Sequence, residues 1–477
     1  MMAATTRASQ QPDTGTAGPE YSRLLAEFIA GTRYEDFPPQ VIADAKLTIL
    51  DWLGSALAGA REEPARMARA VVRGFGASDE ATILPVGRSS AAGAALANGV
   101  ASHILEFDDV HKGSTIHGAA PIIPAALAVA ERERSDGRAF LRATILGYEA
   151  ALRVGEAVNP SHYRYWHPTG TAATFGAAVA AGTLLGLDAR QMRDALGSAG
   201  TQAAGLWEFN ADGTMSKHLH PGKATFNGVL AADLAREGFT GAGRILEGER
   251  GFCRAMSTEP DLSRITTDLG TAWKISENCY KLHSCCGHTH TAIDTALALR
   301  ARQGWVQGDV ARAITGVRIA LYEPGYAIVR EPNPRTPYQG KFSIAYCVAA
   351  ALIEGRVGLA QFSPDRFGPA GTVEPQIAAL LARTTVEIAP DLTANYPARW
   401  SARLELTLAD GTMLSGGADY PRGNPENPVS PELLEAKFRD LVAPSYGAAL
   451  AERAVAAVRA VERWDEVRRV VRGMLAD

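Results

Sequence analysis

The chain divides in two by the spacing of its apolar positions. From Tyr21 to about Phe252 they recur at helical intervals. Over residues 41–60, Ala45, Leu47, Leu50, Trp52, Leu53 and Leu57 fall near helical spacing, and residues 92–107, 119–134, 139–158, 170–187 and 191–204 have the same character. These stretches are dense in Ala and Gly with large residues between them. Small residues let helix axes approach closely, so the pattern predicts a tightly packed, mostly buried helical core. Gly and Pro punctuate the ends, as at Asp136-Gly137 and Asn159-Pro160.

Beyond about Leu262 the period changes. Val317, Ile319 and Leu321 alternate with Arg318 and Ala320, as in a half-buried strand, and residues 385–388 look similar. Residues 403–408 alternate, Ala409-Asp410-Gly411-Thr412 supplies a turn, and Met413-Leu414 resume, which predicts a β-hairpin. Pro- and Gly-rich text runs from Tyr420 to Pro431, and residues 431–475 are helical again. The expected fold is mostly α with a smaller α+β domain.

Composition narrows the function. With 477 residues, more than one core is the default. Apolar residues make up 46% and charged residues 21%, and 48 basic against 52 acidic residues leave no basic field for nucleic acid. Five cysteines, an odd and sparse count, argue against a disulfide framework and for a reducing compartment. Residues 1–19 lack an apolar stretch and read as a disordered tail, not a secretory signal. No segment reads as a membrane span. The expectation is a cytoplasmic protein with no membrane or nucleic-acid partner.

Chemistry concentrates in polar islands near helix ends, and all ten histidines lie between residues 103 and 290. The first island is Glu106-Phe107-Asp108-Asp109-Val110-His111, followed by Thr115-Ile116-His117-Gly118. It reads as a capping loop or as an acid–base cluster, in which carboxylates fix the tautomers of His111 and His117. The second is Trp166-His167-Pro168-Thr169-Gly170. Pro168 and Thr169 look like the first residues of the helix that follows, which would set His167 at its positive end. The third is Gly213-Thr214-Met215-Ser216-Lys217-His218-Leu219-His220-Pro221-Gly222-Lys223, ahead of a helix expected over 224–234. Two Lys and two His there suggest an anion site. The fourth is Tyr280-Lys281-Leu282-His283-Ser284-Cys285-Cys286-Gly287-His288-Thr289-His290. Its adjacent cysteines lack zinc or iron–sulfur spacing. They read as buried apolar residues or as a thiol acid/base near Lys281. A fifth island, Asn333 to Tyr346, carries Lys341 near a helix expected over 341–353. No Rossmann, P-loop, nucleophile-elbow or HExxH motif occurs, and no cofactor or metal is expected.

Taken in order, these islands resemble the MmgE/PrpD family, which includes 2-methylcitrate dehydratase, cis-aconitate decarboxylase and iminodisuccinate epimerase. The matching text is Phe107-Asp108-Asp109 with His117, Trp166-His167-Pro168-Thr169-Gly170, residues 213–222, residues 281–290 and Lys341-Phe342-Ser343. It covers roughly residues 20–470. The resemblance implies a helical domain from both chain ends (20–265 and 430–477), an α+β lid (266–429), a cleft between them, a homodimer, and chemistry without metal. By motif position it implies that Asp108, His117, His167, Lys217, Lys281 and Cys286 are catalytic. Asp109, His111, Thr169, His220, His290, Lys341 and Tyr346 are candidates to bind substrate. Three departures stand out. Gly118 replaces the usual Pro, Cys286 stands where animal cis-aconitate decarboxylases have His, and Gly340-Lys341 replaces an acidic-Ala-Lys.

The implied chemistry is proton removal next to a carboxylate. Lys217 and Lys281 would hold carboxylates and spread the enediolate charge. His117, His167 or Cys286 would move the carbon-bound proton, and Asp108 would orient a histidine. Dehydration of a 2-methylcitrate-like acid is the first expectation, decarboxylation of a cis-aconitate-like acid the second and epimerisation the third. A non-catalytic carboxylate-binding protein is the alternative from another class.

Overall fold

The computed structural model describes residues 19–306 and 310–476. Apart from Pro19, the tail expected over residues 1–19 lies outside them. The molecule is mostly α with a smaller α+β part, as the apolar periods predict.

The helices that carry the site are α1 (Pro39–Gly59), α2 (Ala91–Ser102), α3 (Ala119–Arg132), α4 (Gly137–Val158), α5 (Ala173–Leu184), α6 (Ala189–Gly200) and α7 (Ser216–Arg236). Helix α5, ATFGAAVAAGTL, is apolar on every side and lies in the middle of the first core. Small residues set the crossings. A Cβ built on Gly99 of α2 would lie 2.9 Å from the Cα of Gly222 on α7. The two backbones therefore touch, and the end of α2 is carried to the start of α7.

The second region contributes α8 (His290–Gln303), α9 (Ile344–Glu354) and a four-stranded sheet. A two-residue strand β1 (Val110–His111) pairs antiparallel with β2 (Asn278–Cys279). The sheet strands are β3 (Ile314–Leu321), β4 (Thr384–Ile388), β5 (Ala402–Leu408) and β6 (Met413–Ala418), in the order β6-β5-β3-β4. Only the β3–β4 pair is parallel. The expected hairpin is β5–β6, and its turn uses Gly411 at φ +87°, a left-handed value that glycine adopts without strain.

Two hydrophobic cores result. The first joins the helices from residue 25 onward with Phe438, Leu441 and Val442 of α10 (Pro431–Tyr446). The second runs from Cys279 to Leu406 and includes Val110 from the first region. Among the described residues, no helix is long and apolar enough to cross a membrane.

Three element boundaries differ from the sequence reading. Helix α2 stops at Ser102, so residues 103–109 form an irregular loop. Helix α5 starts at Ala173 and residues 168–172 are turns, so His167 precedes the helix by several residues. Helix α7 starts at Ser216, which puts Lys217 in its first turn and His220 in its second. The helix expected over 224–234 therefore starts earlier, and packing of Gly222 against α2 carries it through Pro221.

Candidate active site

The irregular loop after α2 organises the site. His103 caps the end of α2, and Glu106 has a left-handed backbone, φ +55°. That conformation is uncommon outside glycine and turns the Glu106 carboxylate inward. There it pairs with Lys217, and its other oxygen lies 3.3 Å from the Nζ of Lys281. The Lys281 ammonium also donates to the Glu106 carbonyl at 3.3 Å. All three side chains are buried. Burial pushes the Glu106 carboxyl up, but Lys217 and Lys281 together outweigh it and hold the group well below the usual range. Burial works against the Lys281 ammonium, yet Glu106 and Asp108 raise it above its ordinary value.

Three imidazoles meet beside this clamp. His103, His117 and His167 each bring a ring nitrogen within 4.8 Å of the others'. Their Nδ1 atoms are already engaged: His103 with Asp108 Oδ2 at 2.7 Å, His117 with the Asp109 carbonyl at 2.7 Å, and His167 with His220 Nδ1 at 3.0 Å. The Nε2 of His103 is buried with no partner among the described residues. Burial, followed by the charge of Lys281, holds His117 well below the usual imidazole range. Burial, followed by His220, does the same for His167. Both are therefore neutral bases at neutral pH. Asp108 stays ionised despite its burial because His103 and His117 face it. Trp207 packs edge-on against His167, with ring centroids 5.1 Å apart.

The other expected residues fall into three groups. Some support the cluster. Thr169 Oγ1 accepts from the His117 amide at 3.1 Å. Asp109 accepts from Tyr148 Oη at 2.7 Å and from the Ala119 amide at 3.0 Å, and burial raises its carboxyl to about 7. Gly118 is explained here too: a Cβ on it would lie 2.6 Å from the Tyr148 ring. Others border the cluster. Lys341 donates to the Leu105 carbonyl at 2.6 Å, and burial lowers it to about 8. Together with His218 it lines a cavity of about 660 Å3 along the seam between the two regions. Burial, then Glu106, pushes the Cys286 thiol up to about 12, so it is a protonated thiol rather than a base.

The remaining three are engaged elsewhere. His111 contacts Ser114 and Glu277. His290 reaches the Cys285 carbonyl at 3.3 Å and packs edge-on against His283. Tyr346 donates to the Gln361 carbonyl at 2.5 Å, inside the second core beside Phe362 and Phe367. Sequence reasoning missed His103 and Glu106. The available signal was their position five and two residues ahead of Asp108.

Two groups have metal-ligand geometry. In the group of His111, Glu156 and Glu277, the Lys274 ammonium lies 3.1 Å from Glu156 and 3.0 Å from Glu277 and already supplies positive charge that an ion would bring. The three-imidazole group suits a transition-metal ion by donor type. Two neighbouring ammonium groups, Lys217 and Lys281, oppose a dication there.

Buried imidazoles beside paired lysines can move a proton next to a bound anion. Residues 23–265 match the MmgE/PrpD N-terminal domain and residues 283–463 the MmgE/PrpD C-terminal domain. The chain belongs to the MmgE/PrpD family. It is 27% identical over 439 residues to the cis-aconitate decarboxylase-like protein oryM of Aspergillus oryzae, covering 87% of this chain and 89% of that protein. It is 28% identical over 430 residues to the cis-aconitate decarboxylase of Homo sapiens, covering 87% and 86%. The 2-methylcitrate dehydratase-like protein oryR of Aspergillus oryzae is 25% identical over 173 residues, covering 35% and 34%. The relatives are thus named for lyase reactions.

Proposed function

We propose that this chain is a lyase that removes a proton next to a carboxylate of a small polycarboxylate and expels water, as in dehydration of a 2-methylcitrate-like acid. The observation that carries this reading is the packing of His103, His117 and His167 beside the Lys217–Glu106–Lys281 clamp. A substrate carboxylate takes a share of the two ammonium charges. A neutral imidazole then takes the carbon-bound proton, and the lysines spread the enediolate charge. The hydroxyl leaves as water after accepting a proton from a neighbouring acid, for which Lys281 and the Cys286 thiol are candidates. Asp108 holds His103 through Nδ1 and Asp109 orients His117, so each ring keeps one nitrogen for the reaction.

Decarboxylation of a cis-aconitate-like acid is the second reading. It is favoured because the relatives named for it match over most of the chain. Carbon dioxide leaves with its bonding pair remaining on the substrate, the same clamp stabilises that carbanion, and the acid that would protonate the hydroxyl returns a proton to carbon.

The test is product analysis by NMR with 2-methylcitrate, citrate, cis-aconitate and iminodisuccinate. Loss of water from a hydroxy acid is the expected result, and an inert protein across the panel overturns the reading. His167→Ala and Lys217→Ala should each lower kcat by about 10²–10⁴-fold while substrate still binds. Turnover unchanged in both would remove these residues from the mechanism.

A further inference from the structure

A cavity of about 420 Å3 lies behind the site, between α10, the loop at residues 355–361 and the Leu282–His283 turn. Its floor is Phe107 and Leu282, and its walls include Leu297, Leu433 and Leu441. At its rim stand Arg356 and Arg422, both exposed. Neither guanidinium has an acidic partner among the described residues. Lys437 also lines it, with its ammonium committed to Asp51 and to the Phe107 carbonyl, each at 2.7 Å. Asp440 is the one acid among the described lining residues, against the two guanidinium groups.

An apolar pocket with a few convergent polar groups is the usual form of a small-molecule site. Two free guanidinium forks suit a carboxylate, and the leucine walls suit a short aliphatic body. We propose that this cavity is a second, non-catalytic ligand site for a small aliphatic carboxylate. Its floor residues are sequence neighbours of the clamp: Phe107 lies between Glu106 and Asp108, and Leu282 follows Lys281. An occupant therefore touches both loops that build the site without entering it.

Calorimetry on the full chain tests this, with hexanoate as the probe, acetate as the control without an apolar body and hexanol as the control without a charge. Hexanoate should saturate, with a Kd at least tenfold below that of either control. Arg356→Glu/Arg422→Glu, at exposed positions, should raise that Kd tenfold or more, and Leu433→Trp should do the same by filling the space. Lys217→Ala, in the catalytic clamp, should leave it unchanged. The proposal is overturned if hexanoate does not saturate, if neither cavity variant weakens it, or if Lys217→Ala abolishes binding, which would put the probe in the catalytic cluster.

Discussion

Single residues here are read best through charge. Lys341 is a cation only below about 8, because burial disfavours its charged form. His117 and His167 need a pH well below 6.5 to protonate, for the same reason. If Lys341 helps to bind a substrate carboxylate, kcat/KM should fall above pH 8 as Lys341 loses its proton. Lys341→Met should lower kcat/KM at neutral pH and remove the alkaline fall. A pH–rate profile of both proteins checks this, and an alkaline limb that survives in the variant would assign it to another group. Asp108, His117, His167, Lys217 and Lys281 were visible in the sequence because each stands in a polar island within apolar text. Glu106 and His103 stand in or beside the same text, but what brings them into the site is not local. The left-handed backbone at Glu106 and the burial of both residues depend on α7 and the Lys281 loop packing over them. Tyr346 illustrates the opposite limit. Its sequence neighbourhood gave no sign that its hydroxyl would be taken up by Gln361, fifteen residues on.

At the scale of elements, the spacing of small residues decides which loops meet. Gly222 presses on α2 so closely that an added Cβ would lie 2.5 Å from the Val100 side chain and 2.8 Å from the Leu96 carbonyl. Gly222→Ala should cost about 1–3 kcal/mol through overpacking. Because α7 carries Lys217 and His220, it should also raise KM, whereas an exposed Gly473→Ala, with open space around it, should do neither. Thermal unfolding and steady-state kinetics on the two variants compare them. The helices themselves were legible from period and composition, and so was the β5–β6 hairpin from its Asp410-Gly411 turn. Their ends were not. Pro168 looks like a helix start and Pro221 like a residue ahead of one, and only tertiary contact makes the first a turn and carries the helix through the second.

Across the whole molecule, the site depends on distant parts of the chain. Lys437 reaches from α10 to Asp51 on α1 and to the carbonyl of Phe107. Lys437→Met would leave the buried Asp51 without its counter-charge, at a cost of about 3–5 kcal/mol. Adding Asp51→Leu to it should restore part of that stability, since the uncompensated charge goes with it. Denaturant unfolding of the single and double variants measures both, and equal midpoints would show that the pair carries no such charge penalty. The mostly α class with a smaller α+β part was legible from the apolar periods, but this tie was not, because nothing near Lys437 in sequence distinguishes it from a solvated lysine.

The same tie bears on how the protein is made. Asp51 and Phe107 leave the ribosome long before their cation does. At roughly 5–20 residues per second, the interval between Phe107 and Lys437 is on the order of 15–65 s. Throughout it Asp51 lacks its counter-charge, and the loop that carries Glu106 lacks its anchor. The amino-terminal helices therefore reach their final packing only after Lys437 has emerged, and a chain stalled before α10 leaves the Glu106 loop unfastened.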